Sequence, residues 1–270
     1  MSWSTIGFAE SFLGIVLATA VPIYLGLFAV SALRRVRTLY LAAFSLGVFF
    51  WYFSDTIGDS AYLDVNTGFS GGLVHVWLFL LAILGFLALA IADSNGLVGG
   101  TREQSAKGSF VIPVLVAIGL SIHGFGEGAG FGALAASTPT TSIIDALGGY
   151  GPGVSYVIHK VLEASVIGTT YRIYVRDAGL KGSIKRIVLL GLIFSIPSFL
   201  GEAIAYFYQF DTTYFFAAAT GASLYVALRL ANPLFGPRAM TRAGAIKVAL
   251  VIAAGFAAIY TAALLHSTPL

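Results

Sequence analysis

Two short segments of the chain combine a histidine and a glutamate at the same spacing. His123 and Glu127 are four residues apart, and His159 and Glu163 repeat this arrangement 36 residues later. On a helix this spacing places both side chains on one face, one turn apart. Two such faces that meet would surround a small volume with two imidazoles and two carboxylates, a ligand set suited to zinc, iron or manganese. Cysteine is absent from the chain, so thiolate ligands are excluded.

Other ionisable residues lie in equally apolar surroundings. Lys160 directly follows His159, and Glu202 comes five residues after Pro197. Ionisable groups at membrane depth usually face a partner or an aqueous path. For a single His–Glu pair, an ion-pair network that holds helices together would be the simpler interpretation. The repeated pair and the additional Glu202 favour a metal site, with Glu202 predicted as a further ligand.

The surroundings of these residues are those of an all-α, polytopic membrane protein. Apolar residues make up 58% of the 270 residues and charged residues only 10%, whereas about 25% is usual for a soluble domain. Eight apolar stretches are long enough to cross a hydrocarbon core of about 30 Å, and their short connections indicate a single transmembrane domain over residues 1–270. The predicted spans are 6–33, 39–57, 70–93, 109–136, 151–175, 184–208, 213–232 and 244–266.

The basic residues predict how these spans are oriented. Of the fifteen Lys and Arg residues, all but Lys160 fall at the connections that follow the odd-numbered spans. By the positive-inside rule these connections are cytoplasmic, which places both termini outside, and we expect a multi-pass protein of the plasma membrane. The longest polar connection, Ser94–Gly108, predicts a flexible loop. The basic residues counted here include Arg172, Arg229 and Arg242.

Glycines accompany the first His–Glu pair. Gly124, Gly128 and Gly132 form one stripe at i,i+4 spacing. Small residues repeated in this way allow transmembrane helices to approach closely. We therefore predict that the fourth span packs tightly against a neighbour along this stripe.

The segments around these residues resemble the ZIP family of zinc- and iron-regulated transporters. His123-Gly-Phe-Gly-Glu127-Gly128 is similar to the family signature of the fourth helix, and His159-Lys-Val-Leu-Glu163-Ala164 is similar to that of the fifth. Glu202 matches an acidic residue that the family places in its sixth helix. The resemblance extends over nearly the whole chain, although only these two helices are specific.

The resemblance implies a fold and a function. It implies an inverted-repeat bundle, often a homodimer, that moves a divalent metal toward the cytoplasm by alternating access through a site between helices 4 and 5. Zinc would be the first substrate to test, with iron, manganese and cadmium as alternatives. The expected metal ligands are His123, Glu127, His159, Glu163 and Glu202.

Lys160 is the departure from the family with the clearest chemical consequence. It stands where some members have a metal-binding acid, and the signature prolines are replaced by Gly126 and Leu162. Three glutamates and one protonated lysine give a net charge of −2, which one divalent cation neutralises. We therefore expect one bound metal, with Lys160 as the substitute for a second, paired with Glu163, Glu202 or both.

Acidic and imidazole side chains near the outer ends of the second and third spans predict an approach for the ion. Asp55 and Asp59, with His75, would concentrate cations at the mouth of a pathway. For Asp59 and His75, solvated helix ends are an equal alternative.

Other classes of protein remain open at this point. An intramembrane metal-dependent hydrolase would use the same ligands to activate water, but the H-E-x-x-H arrangement is absent. A retinal protein would also be helical with a buried lysine, and a family member could bind metal without transporting it. We expect a transporter that is not an enzyme, whose partners are the metal ion and the lipid bilayer, with no cofactor and no nucleic acid.

Overall fold

The computed structural model describes residues 7–33, 35–59, 73–93, 110–137, 142–175, 179–235 and 240–267, which form helices and no strand. Eight long helices occur in these ranges, and each corresponds to one of the predicted spans. A single helical turn, Ile143–Ala146, precedes the fifth. The long helices are α1 (Phe8–Ala32), α2 (Thr38–Asp59), α3 (Leu73–Ala92), α4 (Val111–Ser137), α5 (Tyr150–Tyr174), α6 (Gly179–Phe207), α7 (Thr213–Phe235) and α8 (Arg242–Ser267).

Six of these helices, α1, α2, α4, α6, α7 and α8, are long and apolar enough to cross a membrane. A helix satisfies its own backbone hydrogen bonds, so it can enter lipid where an open strand cannot. The apolar part of α3 within the region searched, Val76–Ala92, is shorter. Helix α5 is less apolar because it carries His159, Lys160, Glu163 and Arg172. The described helices are therefore those of a membrane protein.

Helices α4 and α5 contact each other, and each also contacts most of the other long helices. Helix α4 lies mainly against α6, and α5 lies mainly against α1. Around them α2 packs on α8, α3 packs on α7, and α2 also contacts α7. The two helices that carry the His–Glu pairs are thus held from several sides.

The crossings of α2 with α8 and of α3 with α7 are built alike. At each crossing, both helices contribute a glycine that lies very close to the backbone of the partner helix. An added Cβ on any of these glycines would collide with a carbonyl oxygen of that partner. Only small residues allow such an approach in lipid. The colliding pairs are Gly47 with Ile252, Gly255 with Phe44, Gly85 with Ala218 and Gly221 with Ala82.

The predicted glycine stripe of α4 is confirmed as a packing surface. A Cβ on Gly124 would lie 2.7 Å from Ser198 Oγ, while one on Gly128 would collide with the Ser198 carbonyl oxygen. Gly132 meets the Glu202 carbonyl oxygen in the same way. The stripe therefore fixes α4 against α6 and sets the height of Glu127 relative to α6.

We expect Gly128→Ala to lower the stability of the protein by about 1–3 kcal/mol, because the added methyl group must push two backbones apart. A lower midpoint of thermal unfolding in detergent would measure this effect. Gly130→Ala is the matched control, since nothing lies within 4 Å of a Cβ at that position on the same helix. Equal midpoints for both variants would contradict the packing role of the stripe.

The connection from α4 to α5 ends in a defined turn. Ser142 Oγ accepts a hydrogen bond from the Asp145 backbone N–H at 3.2 Å, which caps the short helical turn. Gly148 and Gly149 then have φ values of 82° and 107°. Glycine adopts this left-handed region without the strain that a Cβ would add. The turn sets the start of α5 and hence the register of His159 relative to α4.

One basic residue near the connection between the seventh and eighth spans is buried. Arg229 lies in the last part of α7, with 1% of its surface exposed. It forms a buried ion pair with Asp93, directly after α3. An arginine can remain in such a place because an acid on another helix compensates its charge. The predicted flexible loop Ser94–Gly108 lies outside the described residues.

Candidate metal centre

The structure brings His123, Glu127, His159 and Glu163 together between α4 and α5. One donor atom from each side chain can be chosen so that all four lie within 4.8 Å of one another. We call these four residues the His–Glu centre. A tetrahedral zinc site with ligand bonds of 2.0–2.2 Å keeps its donors about 3.4 Å apart, so shifts of about 1 Å would suffice to close around an ion.

Within each helix, the histidine lies beside its own glutamate. His123 Nε2 is 3.5 Å from Glu127 Oε1, and His159 Nε2 is 3.3 Å from Glu163 Oε1. The two imidazole rings are 6.5 Å apart, centre to centre, and inclined by only 27°. The repeated i,i+4 spacing therefore produces two matching His–Glu edges that face each other.

Lys160 joins the two glutamates on their other side. Its Nζ contacts Glu127 Oε2 and lies 2.6 Å from Glu163 Oε2. The side chain is fully buried, and its ammonium lies 5.5 Å and 5.2 Å from the ring centres of Tyr156 and Phe194. Each carboxylate thus directs one oxygen to the lysine and the other to its histidine.

Several polar atoms of the centre are buried without a hydrogen bond to any described residue. They include both ring nitrogens of His123, Nε2 of His159 and Oε1 of Glu163. Buried polar atoms in proteins are nearly always paired, and each exception calls for an explanation. A cation coordinated by one nitrogen of each histidine and by Glu163 Oε1 would account for three of these four atoms.

Aromatic side chains from α2 and α7 hold the imidazoles in place. Trp51 meets the His159 ring edge-on with centres 5.2 Å apart, and Tyr52 meets His123 in the same way at 4.8 Å. Phe216 of α7 lies 5.2 Å from His123. Such contacts fix ring orientation and lower the local dielectric, which strengthens electrostatic interactions inside the centre. The aromatic wall was not part of the sequence prediction, since no spacing in α2 or α7 points to it.

A cavity of about 660 Å³ adjoins the centre. His123, Glu127 and His159 form part of its wall, as does Asp55 of α2. Its other lining residues on α4 follow Glu127, and those on α5 precede His159, so it extends toward the connection between these helices. Leu134 of α4, Leu147 and Gly148 of the connection, and Pro152 of α5 are among the lining residues. The centre is therefore approached from the end of the bundle that the sequence analysis predicts to be extracytoplasmic.

The structure places the other predicted ligand, Glu202, and the predicted approach residue Asp55 differently relative to the His–Glu centre. Asp55 lines the cavity, as expected of a residue on the approach. Glu202 is 1% exposed but lies outside the group of four, with its Oε2 buried and lacking a hydrogen bond to the described residues. Its backbone meets Gly132, about one turn beyond the level of Glu127. The side chains of Asp59 and His75 lie outside the described residues.

The charge of the centre changes accordingly. Lys160 was predicted to pair with Glu163, Glu202 or both, whereas its described partners are Glu163 and Glu127. Two carboxylates and one ammonium leave −1 at the centre itself. Asp55, along the same cavity wall, brings the total to −2. This charge of −2 still balances one divalent cation, and the third acid near the ion is Asp55 rather than Glu202.

We expect Asp55→Asn to reduce metal uptake by about ten-fold at limiting metal and low salt, because a carboxylate in a cleft raises the local cation concentration. The difference should shrink as salt rises, since the interaction is screened. Initial uptake rates at two ionic strengths measure this. Asp211→Asn is the control, as Asp211 is an exposed acid at the α6–α7 connection that does not line the cavity. An equal loss in both variants would contradict a specific role for Asp55.

No protein-family model and no curated protein sequence matches this chain. The geometry of the His–Glu centre and of the helices around it therefore carries the functional conclusion.

Proposed function

We propose that this protein binds one divalent transition metal at the His–Glu centre and moves it across the membrane toward the cytoplasm. The observation that carries the proposal is that the two oxygens of each carboxylate have different partners. Glu127 and Glu163 each give one oxygen to Lys160 and leave the other beside a histidine nitrogen. Two imidazole nitrogens and two carboxylate oxygens then remain for a single ion.

The donor set favours borderline metals. Imidazole suits zinc, iron and copper, carboxylate oxygen suits harder ions, and no thiolate is present to select soft ones. Zinc is the first substrate in this proposal, followed by iron, manganese and cadmium. In this proposal the ion is cargo rather than a resident cofactor, and the open cavity beside its ligands gives it a route to the centre.

The proposal includes membership of the ZIP family, with eight spans and outside termini. Every predicted span corresponds to a helix, and six of the eight helices are long and apolar enough to cross a membrane. Of the other two, α3 has a shorter apolar part in the region searched, and α5 carries several charged residues. The matching crossings of α2 with α8 and α3 with α7 support an inverted repeat, because exchanging helices 1–3 with 6–8 and helix 4 with 5 maps one crossing onto the other. Alternating access through a site at the repeat interface is the usual working mode of such folds. The homodimer stays a prediction of the family resemblance.

Uptake by purified protein in proteoliposomes tests the proposal directly. Vesicles that contain a metal-sensitive dye should show saturable uptake of zinc, and equilibrium binding should give one ion per chain. Iron, manganese and cadmium in the same assay define selectivity, and protein-free vesicles give the background. Binding of one ion without uptake would overturn transport while leaving the site. Metal-dependent release of products from lipid or peptide substrates would instead assign a hydrolase.

A further inference from the structure

A second buried charge cluster lies away from the His–Glu centre. Arg229 of α7 contacts the Asp93 carboxylate, and Tyr225 donates a hydrogen bond to Asp93 Oδ2 at 2.7 Å. Tyr174 at the end of α5 donates to the Arg229 carbonyl oxygen at 2.8 Å. Asp93 is 6% exposed and Arg229 is 1% exposed. The cluster therefore ties the ends of three helices, α3, α5 and α7, by charge and hydrogen bonding.

The cluster is remote from the centre but lies on the same two helices. Phe216 contacts His123 and precedes Arg229 by thirteen residues on α7, which corresponds to about 20 Å along the axis. On α5, Tyr174 follows Glu163 by eleven residues, or about 16 Å. The cluster lies on the side of the centre opposite the cavity, because the residues of α5 that line the cavity extend only as far as His159.

Between the centre and the cluster the helices are densely packed. The buried core on this side contains large apolar and aromatic side chains from α3, α4, α5 and α7, and the cavity does not extend into it. They include Leu89, Val116, Leu120, Tyr171 and Val226. Among the described residues, the centre is thus open to one end of the bundle and lies against packed side chains on the side of the other.

We propose that the Asp93–Arg229 pair, held by Tyr225 and Tyr174, is the inner gate of the pathway. The pair fastens α3 to α7 at the predicted cytoplasmic end, and its separation lets the packed core below the His–Glu centre open. This inference rests on the proposed function, because a gate needs a pathway. Charged pairs suit such a device, since they are stable when buried together and separate into two hydrated groups once water enters. Packed interfaces of this kind switch between discrete arrangements rather than deforming gradually.

The natural absence of cysteine allows the gate to be tested without removing any residue first. Thr170 and Ser223 are buried hydroxyl residues on α5 and α7 between the centre and the cluster, so Thr170→Cys and Ser223→Cys place a thiol of similar size below the ion site. A membrane-impermeant maleimide applied to either face of oriented vesicles reports whether water reaches them. This measurement needs no metal and no transport.

We expect both reporters to label slowly from the cytoplasmic face when the pair is intact. Asp93→Asn should raise that rate at least about ten-fold, because removing one partner of a buried pair strongly favours the separated state. The charge exchange Asp93→Arg with Arg229→Asp should restore part of the protection, as expected for two residues that interact directly. Tyr225→Phe removes only the hydroxyl group that donates a hydrogen bond to Asp93, so it should give a smaller rise in the labelling rate. If Asp93→Asn does not fold, the labelling of Tyr225→Phe tests the gate in its place.

Arg172→Gln is the matched control. Arg172 lies at the same end of the bundle and donates to the carbonyl oxygens of Val30, Leu33 and Val36 at the end of α1 and just beyond it, and none of these three acceptors belongs to the Asp93–Arg229 pair. Unchanged labelling in folded Asp93→Asn or Tyr225→Phe protein overturns the gate, and so does an equal rise in Arg172→Gln. A specific rise in labelling of a protein that takes up no metal would show that the pair closes this end of the bundle but would overturn both transport and the role of the pair as a gate for an ion. Normal uptake with unchanged labelling would overturn the gate alone.

Discussion

We expect Glu163→Gln to abolish metal binding and uptake, with an affinity loss of at least about 100-fold. Glu163 is fully buried and supplies one oxygen toward His159 and the other to Lys160. The amide keeps the size of the side chain but removes its charge and donates a hydrogen bond where a carboxylate accepted one. Even the loss of a residue that only supports a metal ligand typically costs 10–100-fold in metal affinity. Isothermal titration of the purified variant with zinc, paired with uptake in vesicles, measures both effects.

Glu10→Gln provides the control for this experiment. Glu10 caps the start of α1 by accepting a hydrogen bond from the Gly7 N–H at 3.0 Å and is exposed. The substitution removes the same charge from the same protein, so binding and uptake should stay at the level of the unaltered chain. Zinc binding by Glu163→Gln with unaltered affinity would show that the metal site lies elsewhere. Equal losses in the two variants would point to a general effect of net charge.

Lys160→Asp is expected to convert a one-ion centre into a two-ion centre. The ammonium of Lys160 now occupies the side of the glutamates opposite the histidines. Its replacement by a carboxylate takes the charge of the centre from −1 to −3, and Asp55 in the cavity wall makes it −4. Two divalent cations neutralise that charge, and buried carboxylates without compensation are strongly disfavoured. Metal content per chain, determined by mass spectrometry of the purified variant at saturating zinc, should rise from one to two.

Lys160→Ala separates the charge of this residue from its ligand chemistry. It removes the ammonium but adds no ligand, so the metal content should remain at one ion per chain. Affinity or selectivity should change, because Glu127 and Glu163 regain both oxygens for the ion. Two ions in Lys160→Ala, or one ion in folded Lys160→Asp, would show that Lys160 does not substitute for a second metal.

The sequence by itself determined the helices and the two faces of the centre. Long apolar runs force helical structure because unpaired backbone groups are intolerable in lipid, and each predicted span accordingly became a helix. The i,i+4 spacing of His123 with Glu127, and of His159 with Glu163, fixed each pair on one face through local geometry alone. That both faces meet followed from adjacency of the two helices and from the repeat. The close approach along Gly124, Gly128 and Gly132 was readable for the same reason, since small residues at one spacing form one surface.

Only the tertiary structure decided which other charges accompany these pairs. Glu202 was predicted as a ligand of the ion and Asp55 as a residue of its approach. The rotation and height of α6 and α2 place Asp55 in the cavity wall and leave Glu202 about one turn away from the group of four. The same relative placement gives Lys160 a contact with Glu127 that helix periodicity within α5 cannot predict.

Asp93 and Arg229 show the same limit more strongly. Each stands near the end of its own apolar stretch, where a charged residue is ordinary, and 136 residues separate them in the sequence. Their partnership arises because α3 packs along α7, and that crossing depends on glycines and carbonyl groups meeting across the interface. Local sequence sets which face of a helix a residue occupies. Which face of another helix it meets depends on the packing of the whole bundle. For this reason the sequence alone predicted the His–Glu centre, whereas the Asp93–Arg229 pair became evident only in the tertiary structure.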